Sequence, residues 1–167
     1  MSTSADIIVI GAGIAGASVA AELAREGAKV VLLEREDQPG YHSTGRSAAL
    51  YIETYGPEQI RRLTRAGREW FLNPPAGLTE QPLMTPSGVI LVGYEGEADL
   101  LKGAVSEAEL TGSKVDMLSP DECIKRAPIL KRDRLIGGVY DASALAMDAS
   151  GIHQARLKQL KRHGGSL

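Results

Sequence analysis

The N-terminal stretch switches between two hydrophobic periods. Residues 6–10 run into an unbroken β-branched series, Ile7-Ile8-Val9-Ile10, which predicts a strand buried on both faces of a parallel sheet. Glycines then turn the chain, and over residues 14–26 small and apolar positions recur at helical spacing (Val19, Ala20, Leu23, Ala24), with Gly27 where a helix C-terminal cap belongs. Residues 29–34 form a second buried strand, completing a βαβ unit of about 30 residues. The polar, glycine-containing stretch 35–46 follows neither period and reads as an extended functional loop.

Pro57 opens a helix that runs to Leu72 and is stopped by Asn73-Pro74-Pro75. Trp70 and Phe71 on it read as core. Short apolar segments at 82–85 and 89–94 flank the turn Pro86-Ser87-Gly88 and predict a hairpin. A helix is expected over 97–110. Ser119, Pro120 and Glu122 form a capping box that starts a short helix ending before Pro128, with Cys123 on it as a buried small hydrophobe. A strand at 135–140 precedes a last helix over 149–163, capped by Asp148 and closed by Gly164-Gly165. After two parallel strands, the antiparallel pieces interrupt what would otherwise be a doubly wound sheet, so something is inserted. The final residues lie where the next parallel strand would begin, which reads as a truncated or split polypeptide.

Composition narrows the function classes. With 19 Lys plus Arg against 21 Asp plus Glu, the net charge of −2 provides no electrostatic footprint for nucleic acid. The 167 residues can bury a core without disulfides or metals. The single cysteine excludes a disulfide framework and fits a reducing, cytoplasmic compartment, and no Cys/His spacing suits zinc. The apolar stretch 7–21 follows no positive n-region. It is too short for a transmembrane segment and is broken by Gly11, Gly13 and Gly16.

Those three glycines carry the main chemical signal. Gly11-x-Gly13-x-x-Gly16 sits between a strand and a helix, with Ala20 four residues on and Glu34 at the end of the second strand. Gly11 permits the tight turn, and Gly13 lets the backbone approach a pyrophosphate at the helix N-terminus. Gly16 lets helix and strand pack closely. Glu34 is placed to accept ribose hydroxyls and to repel a 2′-phosphate, so NADP is disfavoured despite Arg35. The fingerprint leaves NAD and FAD open. A nicotinamide-dependent dehydrogenase and a non-catalytic nucleotide-binding subunit are the readings that compete with a flavoenzyme.

The segment Gly40-Tyr41-His42-Ser43-Thr44-Gly45-Arg46-Ser47-Ala48-Ala49 is rich in small side chains and backbone donors, as suits a chain running along a long flat cofactor. Here the sequence resembles the FAD-dependent amine oxidoreductases of the D-amino-acid oxidase, glycine oxidase and sarcosine oxidase type, and within them bacterial D-arginine dehydrogenase-like proteins. The likeness runs through residues 6–16, Leu33-Glu34-Arg35, residues 43–49 and Phe71-Leu72-Asn73-Pro74-Pro75-Ala76-Gly77.

The resemblance implies an α/β fold. A Rossmann-type FAD-binding domain (1–83, with a return helix at 148–167) would carry part of an inserted antiparallel α+β substrate domain (84–147). It implies FAD contacts from Gly11, Gly13, Ile14, Ala15, Gly16, Glu34, Arg35, His42, Ser43, Thr44, Arg46, Ser47, Ala48 and Ala49, with Arg46 supporting the loop. Tyr55 and Leu50 fall on the substrate side, and Tyr51 and Tyr55 either line the pocket or anchor the loop to the next helix. The chemistry implied is hydride transfer from the α-carbon of an amine or D-amino acid to flavin N5, leaving an imino acid that hydrolyses to a keto acid and ammonia.

No acid/base pair is then required, and His42, His153 and His163 read as surface or cofactor-loop residues. Leu50 and the Pro86-Ser87-Gly88-Val89 turn lack the polar and acidic groups of the D-arginine subgroup. A neutral substrate is therefore expected over D-arginine. The resemblance also implies a C-terminal half or partner subunit beyond these residues. Without it the chain should hold FAD weakly, expose sheet edge, self-associate as a homo-oligomer and not turn over.

Overall fold

The structure is a computed structural model that describes residues 4–167 of the chain. It divides into two compact units. The first contains the chain up to Ala49, Glu69–Met84 and Met147–Leu167, and the second contains Leu50–Arg68 and Thr85–Ala146. Among the described residues no helix is long and apolar enough to cross a membrane.

The first unit is built on strands β1 (Ile7–Ile10) and β2 (Val30–Leu33), which pair in parallel with Ile7 opposite Val30 and Ile10 opposite Leu33. Helix α1 (Ile14–Arg25) connects them. Near the C-terminus, Ser166 makes a parallel bridge to Val31, its N–H donating to the Val30 carbonyl and its carbonyl accepting from Leu32 N–H. A third parallel segment thus begins beside β2, where the sequence order placed it.

The buried stripe of α1 is Ala17, Ala20, Ala21 and Ala24, one helical face at i, i+3, i+4 and i+7 spacing. Val19, expected on that face, is exposed. It stands two positions after Ala17, off that stripe, whereas Leu23 packs partly buried beside the alanines. They form one core with Val30, Leu32, Leu157 and Leu160.

The strands are not buried on both faces, contrary to the sequence reading. Val30 and Leu32 join the core, whereas Ile8, Ile10 and Leu33 point to the opposite face and are 60%, 85% and 47% exposed. A β-branched run reports strand geometry, and the number of covered faces depends on which helices arrive.

In the second unit, β5 (Val89–Tyr94), β7 (Leu135–Asp141) and β6 (Asp116–Leu118) form an antiparallel sheet in the order β5-β7-β6. Helices α3 (Ala98–Thr111) and α4 (Pro120–Arg126) pack on it. Cys123 is fully buried beside Leu118 and Leu135, and burial pushes its thiol pKa up, as suits a small hydrophobe. The capping box is formed: Ser119 Oγ accepts from Glu122 N–H and Glu122 Oε2 accepts from Ser119 N–H at 2.8 Å.

The predicted hairpin is absent. The strand preceding the turn, β4 (Met84–Pro86), belongs to a different sheet from β5, in the order β3-β8-β4 with β3 (Leu50–Tyr51) and β8 (Leu145–Met147). The N–H groups of Ser87 and Gly88 both go to the Ala144 carbonyl, so this turn bonds outward instead of closing on its own strands.

Helix α2 (Glu58–Leu72) starts in the second unit and ends in the first. Trp70 and Phe71 at its end are half-buried and not core. Trp70 serves as a platform for Arg156, whose guanidinium lies 3.7 Å from the ring centroid while Nη1 pairs with Glu22 Oε1 at 2.5 Å. Arg156 thereby ties α1 to the last helix, α5 (Ala149–Arg162), which Asp148 caps through a bond from Gly151 N–H.

Because Leu160 sits in the α1–α5 seam with no exposure, Leu160→Ala should cost about 3 kcal/mol. Leu110→Ala, at an exposed site, should cost under about 0.5 kcal/mol. Urea unfolding of the two variants gives both values.

Candidate functional site

The glycine turn and the 40–44 loop come together in the first unit. Gly13, Ile14, Ala15, Glu34, Tyr41, His42, Ser43 and Thr44 line one cavity of about 280 Å³. Two sequence segments that were read separately therefore share one wall.

Each glycine of the turn has its own constraint. Gly11 is in the left-handed region at φ +95°. A Cβ at Gly16 would collide with the Gly11 carbonyl, and one at Gly13 would lie 3.2 Å from Thr44 Oγ1. Gly13 is also the N-cap of α1 and brings no capping side chain. Thr44, thirty residues on, supplies the cap: its Oγ1 accepts from Ile14 N–H at 2.9 Å. Ala17 N–H goes to the Gly13 carbonyl, leaving the N–H groups of Ala15 and Gly16 without a partner among the described residues at the positive end of the helix.

Glu34 closes the other side. Its Oε2 accepts from Ala12 N–H at 2.9 Å, and its Oε1 accepts from Arg35 N–H at 2.8 Å and Glu36 N–H at 3.1 Å. The N–H groups of Glu36, Ala12 and Arg35 hold its carboxyl below the usual carboxylate range. A second carboxylate is adjacent: Glu36 Oε1 lies 2.9 Å from both His42 Nε2 and Arg35 Nη2, and these two partners depress the Glu36 pKa. Ile10, Gly11, Leu33, Glu34, Arg35, Glu36 and His42 line a neighbouring hollow of about 400 Å³.

The later loop residues are distributed differently. Thr44–Arg46 is a single 3-10 turn. Arg46 is exposed, with its guanidinium 5.6 Å from the Tyr41 ring centroid. Ser47 lines a second cavity, of about 300 Å³, together with Gly40 and His153, and its Oγ accepts from Ala49 N–H. Ala48 is exposed, and Ala49 is held at φ +52°, in the left-handed region that a non-glycine residue seldom enters.

Leu50 and Tyr55 belong to the second unit, and Tyr55 is 73% exposed. Tyr51 anchors the segment after the loop to α2. It is buried, its one hydroxyl proton lies between Glu53 Oε1 at 2.8 Å and the Thr64 carbonyl of α2 at 3.2 Å, and burial together with Glu53 pushes its pKa up to about 12.

Two site residues had no signal of their own in the sequence. Ala12 occupies a variable position of the fingerprint, yet its N–H orients Glu34. His153, expected at the surface or in the cofactor loop, is 3% exposed on α5, with Nε2 2.7 Å from the Ala12 carbonyl oxygen. Its helical periodicity marks it only as one more position on α5.

Since a Cβ at residue 16 would meet backbone and not a flexible side chain, Gly16→Ala should destabilise the chain by about 1–3 kcal/mol. A lower urea midpoint at unchanged slope is the expected result. Glu34 has a depressed folded pKa, so its contribution is complete above the usual carboxylate range and is lost as the pH falls through the lower folded value. Glu34→Gln should remove that part of the acid limb of the stability profile.

Comparison with known proteins agrees with this geometry. Residues 6–167 match the family model for FAD dependent oxidoreductase, DAO. Monomeric sarcosine oxidase from Bacillus sp. (strain B-0618) is 30% identical over 131 residues, covering 77% of this chain and 33% of that protein. The aerobic glycerol-3-phosphate dehydrogenase of Staphylococcus haemolyticus is 28% identical over 145 residues, covering 81% of this chain and 26% of that protein. The crystal structure of glycine oxidase from Geobacillus kaustophilus shares the fold at a TM-score of 0.81 and 21% identity, over 98% of this chain and 46% of that one. The chain thus spans between a quarter and a half of the length of these proteins. With a family match over nearly all of its residues, the chain belongs to the FAD-dependent oxidoreductases of the DAO family.

Proposed function

We propose that this chain carries the adenosine and pyrophosphate end of an FAD site, together with part of the substrate side of an oxidoreductase acting on an amine or amino acid. The observation that carries the reading is the cavity in which the glycine turn, Glu34 and the 40–44 loop meet.

The residues present fit the cofactor. A Cβ at Gly13 would fill the cradle next to Thr44, and Ala15 and Gly16 offer N–H groups at a helix N-terminus, where a pyrophosphate is favoured. A carboxylate has about four acceptor positions, and N–H groups take three of those on Glu34. The remaining one, on Oε2, suits a ribose hydroxyl. Bound there, FAD supplies an acceptor for a hydride from a substrate carbon.

The chain's own part is binding and orientation. Glu34 holds the ribose and repels a 2′-phosphate. Arg35 and His42 border the adenosine side through Glu36, and Ser43 and Thr44 wall the pyrophosphate. Arg46, Ser47, Ala48 and Ala49 continue the loop along the cofactor. The segments 1–83 and 148–167 are assigned to the flavin side and 84–147 to the substrate side, with Leu50 and Tyr55 as substrate-facing residues.

The names of the sarcosine and glycine oxidases support an amine as substrate, and the glycerol-3-phosphate dehydrogenase makes alcohol oxidation the second reading. Leu50 and the 86–89 turn provide no carboxylate for a guanidinium, whose unpaired burial would cost several kcal/mol. The preferred substrate is accordingly neutral.

Flavin titration followed by fluorescence quenching tests the cofactor. FAD should bind more tightly than FMN, which lacks the ribose that Glu34 is placed to hold, and Glu34→Ala should weaken FAD by about 10- to 100-fold while leaving FMN unchanged. Equal affinity for both flavins, or full FAD retention in Glu34→Ala, would sink the assignment. When the chain is completed by the remaining length that its relatives have and is loaded with flavin in the absence of oxygen, sarcosine or a neutral D-amino acid should bleach the flavin band, and D-arginine should not. Bleaching by glycerol 3-phosphate alone would favour the alcohol reading.

A further inference from the structure

Ala12 is held at both ends of its backbone. Its N–H donates to Glu34 Oε2 at 2.9 Å, and its carbonyl oxygen lies 2.7 Å from Nε2 of His153, which comes 141 residues later in the chain. A carbonyl oxygen only accepts, so Nε2 carries the ring proton. In a trans peptide the C=O of one residue and the N–H of the next point in opposite directions. Turning the Ala12 carbonyl toward α5 therefore turns the Gly13 N–H away from α5, at a residue that lines the 280 Å³ cavity.

The same ring supports the second loop. Gly40 is at φ +80°, and a Cβ on it would lie 2.9 Å from His153 Cε1 and 3.1 Å from Nδ1. The imidazole thus sits against the glycine turn through a hydrogen bond and against the start of the 40–44 loop by close packing. Those two segments form the cavity wall.

We propose that His153 is a positioning residue of the dinucleotide site: through its hydrogen bond to the Ala12 carbonyl it aims the Gly13 N–H at the pyrophosphate. The proposal rests on the FAD reading above for the identity of the ligand. His153 touches no reacting atom and acts through Ala12 and Gly13.

The test uses the chain with His153→Gln, which keeps an N–H donor, and His153→Leu, which does not. FAD and ADP are titrated by calorimetry, and the Gly13 amide and the imidazole nitrogens are followed by ¹⁵N NMR without ligand. His153→Leu should weaken FAD and ADP about tenfold and shift the Gly13 amide resonance, whereas His153→Gln should stay within about threefold of the parent, as the loss of one hydrogen bond predicts. The parent ring should be the Nε2–H tautomer.

Equal weakening in both variants would reduce His153 to ring packing and overturn the proposal, as would parental affinity in His153→Leu or an Nδ1–H tautomer. Should His153→Leu fail to fold, the tautomer and the His153→Gln affinity decide the matter in the same way. A parent chain that binds neither FAD nor ADP, with the Gly13 resonance still displaced in His153→Leu, would sink the flavin reading and support the tie between His153 and the turn.

Discussion

The first turn of α1 passes so close to the end of β1 that a single methyl group at residue 16 would collide with the Gly11 carbonyl. The cofactor end of the first unit depends on that closeness. It brings the start of α1 to the C-terminal end of the parallel strands, where backbone N–H groups and the helix dipole can meet an anion. The small buried stripe of α1 also lets it share one core with β2 and with Leu157 and Leu160 of α5. Glycine at the turn and alanine along the helix are two expressions of one requirement, that three backbone segments lie nearly in contact.

Electrostatics at the site follow from backbone donors more than from ion pairs. Glu34 is kept ionised by three N–H groups, one of which comes from the turn itself, so the carboxylate is part of the turn's architecture as well as a feature of its surface. The exposed pairs around it, Arg35 and His42 with Glu36, contribute little to stability in water but keep the loop after β2 folded on itself. Thr44 gives α1 the cap that Gly13 lacks, and so the 40–44 loop contributes to the helix start that it faces.

The second unit gains its order from different sources. Gly138 leaves space for Cys123 and Ile90, since a Cβ there would lie 2.9 Å from the Cys123 sulfur, and the α4 capping box fixes where that helix begins. Tyr51 joins β3 to α2 through the Thr64 carbonyl, with Glu53 shared between its hydroxyl and Arg68 at 2.6 Å. The second unit also has ties distant in sequence, Thr54 Oγ1 donating to Asp141 Oδ2 at 3.4 Å and Arg61 pairing with Glu107 at 3.3 Å, while the first unit joins residues more than a hundred positions apart, Ala12 with His153 and Glu22 with Arg156.

The local signals were legible in the residues alone. The βαβ unit, the Ser119 capping box, the Asp148 cap and the proline stop after α2 each rest on propensity and on hydrogen bonds within a few residues, which the sequence states directly. The glycine spacing and Glu34 likewise made a dinucleotide site the expectation, because a turn without Cβ atoms at a strand end leaves room for a pyrophosphate to approach the backbone. Tertiary structure alone decided the rest. The hydrophobicity of β1 could not say that Ile8 and Ile10 would stay uncovered, and the turn at Pro86-Ser87-Gly88 could not say that its N–H groups would be claimed by Ala144. Nor could the helical periodicity of α5 distinguish His153 from its neighbours, since a histidine becomes part of a site only through what packs against it. Partners distant in sequence leave no local period or spacing, so burial, the choice of sheet and the bond between His153 and Ala12 are settled only when the chain closes on itself.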